Sequence, residues 1–153
     1  MRGVYKANIK IAALATTKTV LLLTVPTNKV VELISARITN SSNATNQQLE
    51  ATWAKVNVLG TPAGTTLTPS KTEQGDQAAV STVLGNLTAE PTSYLANTAY
   101  GDMGFPSLTG YLFEPLDAEK QYFAGADVWG LRLLTATFSA QDTIVEVSFR
   151  EIG

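Results

Sequence analysis

Residues 142–152 alternate without a break: Thr143, Val145, Val147, Phe149 and Glu151 interleave with Ile144, Glu146, Ser148, Arg150 and Ile152. A chain with a two-residue side-chain period sets Val145, Val147 and Phe149 on one face and Glu146, Ser148 and Arg150 on the other. This predicts a half-buried β-strand. Such a strand ties the end of the sequence into a sheet whose other members must come from earlier in the chain.

The earlier segments read as those partners. Over residues 5–13 the odd positions Tyr5, Ala7, Ile9, Ile11 and Ala13 are apolar while Lys6, Asn8 and Lys10 fill even ones, which predicts a strand with one wet face. Residues 15–18 read as a turn, and residues 19–25 as a β-branched, apolar strand covered on both faces. After the breaker Pro26-Thr27-Asn28, residues 29–39 predict a strand with Val30, Ile34, Ala36 and Ile38 on one face, Glu32 as the misfit among them, and Val31 and Leu33 opposite. The polar stretch 40–46 is a loop leading to a strand at 48–58, so these two should pair antiparallel. Further on, 92–99 and 108–114 read as strands, 101–106 as a turn, 122–123 and 129–138 as apolar segments, and Gln141-Asp142 as the last turn. Asp117 is placed to cap one helical turn through Gln121.

The tally is about eight strands, with turn residues at nearly every junction and no amphipathic run of helical length. The expected fold is all-β: a single antiparallel β-sandwich domain over residues 1–153, with a jelly roll the first choice at this strand number. At 44% hydrophobic and 16% charged residues the chain has material for a real core. Residues 60–86 differ in kind, with Pro62, Gly64, Pro69, Gly75 and Gly85 among many threonines. Structureless loops beyond about 12–15 residues are uncommon unless they bind something or are disordered. This one reads either as a partner surface or as a flap packed on its own domain.

Composition also narrows the chemistry. A net charge of −2 with the eleven Lys and Arg scattered singly offers no stripe for a phosphate backbone, so no nucleic-acid partner is expected. There is no Cys and no His, which removes disulfides, thiolate metal sites and the commonest general base. No metal and no cofactor are expected, and neither nucleotide-binding glycine motif occurs. The apolar run 20–23 is far shorter than the ~20 residues of a membrane helix, and residues 1–6 lack a signal peptide's apolar region, so no membrane partner is expected. Without such a signal, the glycosylation triplets at Asn40, Asn43 and Asn86 read as chance in a chain rich in Thr and Asn.

Two carboxylate pairs, Glu73/Asp76 and Asp117/Glu119, have the residue types of a glycosidase, which needs them facing across a cleft. Both sit in turn-like segments where solvated or capping acids are ordinary, and no enzyme is predicted. The aromatics Tyr94, Tyr100, Phe105, Tyr111, Phe113, Tyr122, Phe123 and Trp129 crowd the second half of the chain. They are either core or, if Trp129 or Tyr100 is exposed, stacking platforms for sugar.

One set of residues resembles a known family. Thr68-Pro69, Glu73, Gly75-Asp76, Ala78-Ala79, Ser81-Thr82-Val83 and Gly85-Asn86, then Gly104-Phe105, Pro115 and Phe149-Arg150-Glu151-Ile152-Gly153, look like a group of small virion proteins of tailed bacteriophages and prophages. Members commonly show T-P-x₃-E-x-G-D-x-A-A-x-S-T-V and end in F-E-E-I-G; here Arg150 replaces the first Glu of that ending. The similarity spans most of the chain. It implies a jelly-roll head decoration or cement protein, a homotrimer bound to the major capsid protein on the outer surface of the virion, made in the host cytoplasm. The alternative is a head-fibre or tail module that binds a receptor or glycan. Contacts to the capsid or to other copies are expected from Arg2, Tyr5 and Lys6 on an N-terminal arm, and from Glu73, Gly75 and Asp76 at the tip of the excursion.

Overall fold

The computed structural model describes residues 3–42, 45–96 and 99–153. Eleven strands and one 3₁₀ turn make up the regular structure of those residues. Two strands dominate: β1 (Gly3–Thr24) and β11 (Val128–Ile152), which pair antiparallel from Gly3↔Glu151 to Thr24↔Val128. Between them come β2 (Val30–Asn40), β3 (Gln48–Val58), β4 (Ala63–Leu67), β5 (Ser70–Lys71), β6 (Thr82–Ala89), β7 (Ser93–Tyr94), β8 (Tyr100–Pro106), β9 (Tyr111–Phe113) and β10 (Gln121–Phe123).

The β1–β11 ribbon serves two layers. Its one half, Gly3–Ile11 with Thr143–Glu151, carries β2 beyond β11 and β5 beyond β1, and β2 in turn carries β9 and β10. Its other half carries β3 beyond β11, with β7 and β8 outside it, and β6 then β4 beyond β1. All pairings are antiparallel. The layers face each other: Phe123 of β10 stacks on Trp129 of β11 at 4.5 Å between ring centroids, and lies 6.0 Å from Trp53 of β3.

The all-β, antiparallel expectation holds, with eleven strands in place of about eight, but β2 and β3 do not pair with each other as expected: β2 pairs the Thr143–Ile152 part of β11 and β3 its Trp129–Leu133 part. The closing strand is as its alternation requires: Val145, Val147 and Phe149 are fully buried. Burying one such side chain stabilises the fold by about 1.5–3 kcal/mol.

Several local expectations need correction. Neither 15–18 nor 141–142 is a turn, because both strands continue through them and bend instead. Register shifts crowd between Ile11 and Leu21, and Ala13 takes a left-handed φ of 50°. The polar residues that imitate a turn satisfy the ladder where it is irregular. Thr16 and Thr17 hydroxyls donate to the Ala136 and Thr135 carbonyls at 3.0 Å, and the Asp142 carboxylate accepts the Ala13 N–H at 3.1 Å.

In β2 the faces swap partway. Ser148 pairs with Ser35 but Phe149 with Leu33, leaving Ile34 as a bulge; Val31 and Leu33 are buried before it, Ala36 and Ile38 after it. A strict period of two therefore assigned half of this strand to the wrong face. Residues 101–106 are strand rather than turn, and among the described residues of 92–99 only Ser93 and Tyr94, as β7, are strand. Gly110 turns the chain between β8 and β9 at φ +80°, where a Cβ would stand 2.5 Å from the Ile38 carbonyl oxygen. Asp117 opens a 3₁₀ turn (Asp117–Glu119), but no side chain caps it, and its carboxylate pairs with Lys120 at 2.8 Å.

Candidate functional site

The excursion folds back on the N-terminal strand. Tyr5 and Lys6 pair with Lys71 and Ser70 of β5, and the Thr72 N–H and hydroxyl both donate to the Val4 carbonyl at 3.0 Å. The two segments expected to make contacts thus lie side by side on one edge of the molecule. Arg2, the remaining member of the arm, lies outside the described residues.

Beneath that edge the loop is fastened at two points. The Tyr5 hydroxyl donates to the Gln77 carbonyl at 2.9 Å, while its ring packs on Phe149 at 5.6 Å. The Glu151 carboxylate accepts the Val80 N–H at 3.0 Å and the Ser81 N–H at 2.6 Å. Burial, with the negative charges of Glu151 and Asp76 nearby, raises the Tyr5 phenol above its ordinary pKa, so it stays a donor. At 3% exposure the Tyr5 side chain belongs to the core of the chain and holds the loop from below. Its expected part in the surface passes to its neighbours.

Above the fastening the loop is open. Glu73 and Asp76 bracket a tight turn, the Asp76 N–H donating to the Glu73 carbonyl at 3.2 Å, and a Cβ placed on Gly75 would meet nothing within 4 Å. Lys6, Lys71, Glu73 and Gly75 are exposed, Asp76 is half-buried, and Val80 is 54% exposed. Among the described residues none of these four charged side chains has an ion-pair partner within 4 Å. This edge thus carries both charge signs together with the exposed Val80.

The other sequence candidates are placed differently. Glu73 and Asp76 share one exposed turn, and Asp117 and Glu119 share another, so neither pair is presented by opposing walls. Among the described residues no group of three acidic side chains converges on a point that could hold a metal. Trp129 is buried, sandwiched between Phe123 and Tyr100, the latter at 5.1 Å, so it offers sugar no free face.

Glu32, the misfit in β2, is 2% exposed and accepts from Arg150 at 2.8 Å and Lys120 at 2.9 Å. Hydrogen bonds to Asp117 and Glu32 push Lys120 up to about 12.

Sequence reasoning missed Glu151 as a positioning residue. The signal was there: it is the one acid on the apolar face of the closing strand. No protein-family model, no curated protein and no solved structure matches this chain.

Proposed function

We propose that this chain is a viral structural protein, a capsid decoration or cement protein that binds the outside of a phage head and stabilises its lattice as a homotrimer. The observation that carries the reading is convergence. Two of the stretches on which the resemblance rests, 68–86 and 149–153, are joined by the fold where Glu151 takes up the Ser81 N–H, 70 positions away in sequence. The same contact sets the height and shape of the exposed loop bearing Glu73, Gly75 and Asp76. That loop, with Lys6 and the Arg2 end of the arm, is the footprint on the major capsid protein or on a neighbouring copy.

The action is adhesive. A symmetric trimer presents one footprint three times, and once the first is seated the others bind at a high effective concentration. A footprint of about 800 Å² per partner is the usual scale of a specific contact, and only the surplus over association costs appears as affinity. Affinity for the assembled lattice stabilises that lattice by linkage.

The test is to image virions made with and without this chain. Regularly spaced density on the outer shell is expected, together with heads that rupture at lower temperature when the chain is deleted. Density confined to the tail, or shells indistinguishable in the two preparations, would overturn the proposal. Light scattering of the purified protein should give three times the chain mass, and a monomer at every concentration would remove the multivalent mechanism.

A further inference from the structure

On the half of the molecule built on β3 and β6, away from β5 and its loop, residues 17–19 of β1, residues 90–94 and Arg132 of β11 enclose a cleft of about 420 Å³. This falls within the range of small-ligand sites, about 300–1,000 Å³.

Its floor is fixed. Thr19 is fully buried; its N–H donates to one Glu90 carboxylate oxygen at 2.8 Å and its hydroxyl to the other. The Tyr94 hydroxyl lies 2.5 Å from the Thr19 hydroxyl. Tyr94 lies down against the sheet because position 130 is glycine: a Cβ there would stand 2.9 Å from the phenol oxygen. Over the Tyr94 ring sits the Arg132 guanidinium, 4.1 Å from the centroid.

The charges are arranged for an anion. Among the described residues neither Lys18 nor Arg132 has a carboxylate within ion-pair distance, although five other Lys and Arg side chains do. Lys18 spends one donor on the Asn86 side-chain oxygen at 2.6 Å and keeps two. Arg132 uses one flat face on Tyr94 and leaves the edges of its planar fork, whose geometry matches a carboxylate. Glu90, the cleft's only acid, already accepts at both oxygens and retains lone pairs for hydroxyl donors. Thr92 also lines the wall.

We propose that this cleft binds a carboxylate-bearing sugar, a uronic acid unit of an acidic polysaccharide. Arg132 and Lys18 take the carboxylate, while Glu90 and the Thr92 hydroxyl take the ring hydroxyls. Arg132 occupies the face of Tyr94, so recognition is ionic and by hydrogen bonds, without stacking. The site is independent of head decoration and gives the virion a contact with charged glycans.

Calorimetric titration of the full chain with trigalacturonic acid tests this, with its methyl ester, acetate at equal ionic strength, and the variants Arg132→Gln, Lys18→Gln and Arg37→Gln. Saturable binding of the acid is expected, weakened about tenfold or more by esterification and by Arg132→Gln or Lys18→Gln, and unaltered by Arg37→Gln on another face. Lys18→Gln keeps the test intact if Arg132→Gln fails to fold. No saturable binding, equal binding of the ester, insensitivity to the Lys18 change, loss on Arg37→Gln, or equal competition by acetate would each overturn the assignment. Imaging decorated heads that carry Lys18→Gln reads out the capsid function separately, and their occupancy should be unchanged.

Discussion

The Glu151 carboxylate lies 2.6 Å from the backbone nitrogen of Ser81, 70 positions away in the chain. One buried acid on the closing strand thereby fixes the exit of the exposed loop, and its second backbone donor, Val80, extends the grip.

Glu151→Ala leaves two loop N–H groups without their acceptor and should cost about 1–3 kcal/mol. Glu151→Gln, which keeps one carbonyl, should cost less. Denaturant midpoints measure the loss, and faster proteolysis within residues 72–80 would locate it. An unchanged midpoint and cleavage rate in the Ala variant would show that the loop holds itself.

Tyr5→Phe removes only the bond to the Gln77 carbonyl and keeps the ring on Phe149. The expected loss is about 0.5–1.5 kcal/mol. Amide exchange should accelerate around residue 77 and not in the β1–β11 ladder, which hydrogen-exchange mass spectrometry can resolve.

Glu73→Lys with Asp76→Lys reverses the charge of the loop tip, where neither acid has an ion-pair partner among the described residues. Stability should move by less than about 0.5 kcal/mol, while occupancy on heads should fall severalfold. Full occupancy by the folded double variant would move the footprint elsewhere.

Acid stability should depend on Asp142. The Ala13 N–H first, and then the Lys10 ammonium at 3.1 Å, hold its carboxyl below the ordinary value of 3.8. A folded pKa below the unfolded one means the stabilisation is present above 3.8 and lost as pH falls through the folded value. Asp117, lowered by its hydrogen bond to Lys120, acts in the same direction. Asp142→Asn should therefore flatten part of the acid limb of a stability curve, and added salt should blunt the difference.

At the other end of the scale, Lys120 has a folded pKa raised from 10.5 to about 12. Its contribution is complete below 10.5 and disappears as pH rises through about 12. Lys120→Met should remove that alkaline loss. Arg150→Ala should cost about 1.5–3 kcal/mol, because the buried Glu32 carboxylate loses a charge-assisted bond. Unaltered unfolding midpoints would show that Lys120 alone suffices.

Strand identity was legible wherever alternation was uninterrupted, as at Val145, Val147 and Phe149. It failed where the ladder carries an extra residue. Ile34 and Ala13 sit at shifts in register that no local pattern announces, because a bulge is set by the partner strand. Turn residues misled at Thr16, Thr17 and Asp142, whose side chains replace missing ladder partners. The Gly and Pro content of residues 60–86 suggested one long loop, but β4, β5 and the start of β6 lie inside it, leaving residues 72–81 as its longest open stretch. Its attachment could not be read, since Gln77 enters through a backbone carbonyl and gives no sign in its side chain. The cleft at Arg132 was invisible because its walls come from three stretches, 17–19, 90–94 and 132.

The pairing of β1 with β11 has a consequence for synthesis. β1 finds its long neighbour only after residues 128–152 have cleared the ribosome, so until then Leu21 and Leu23 have at most β6 beside them. Collapse then comes late and all at once, and crowded translation of many copies exposes each to its siblings before it can close. Yield in a host should accordingly respond more to holding chaperones and slow expression than to any improvement in the finished core.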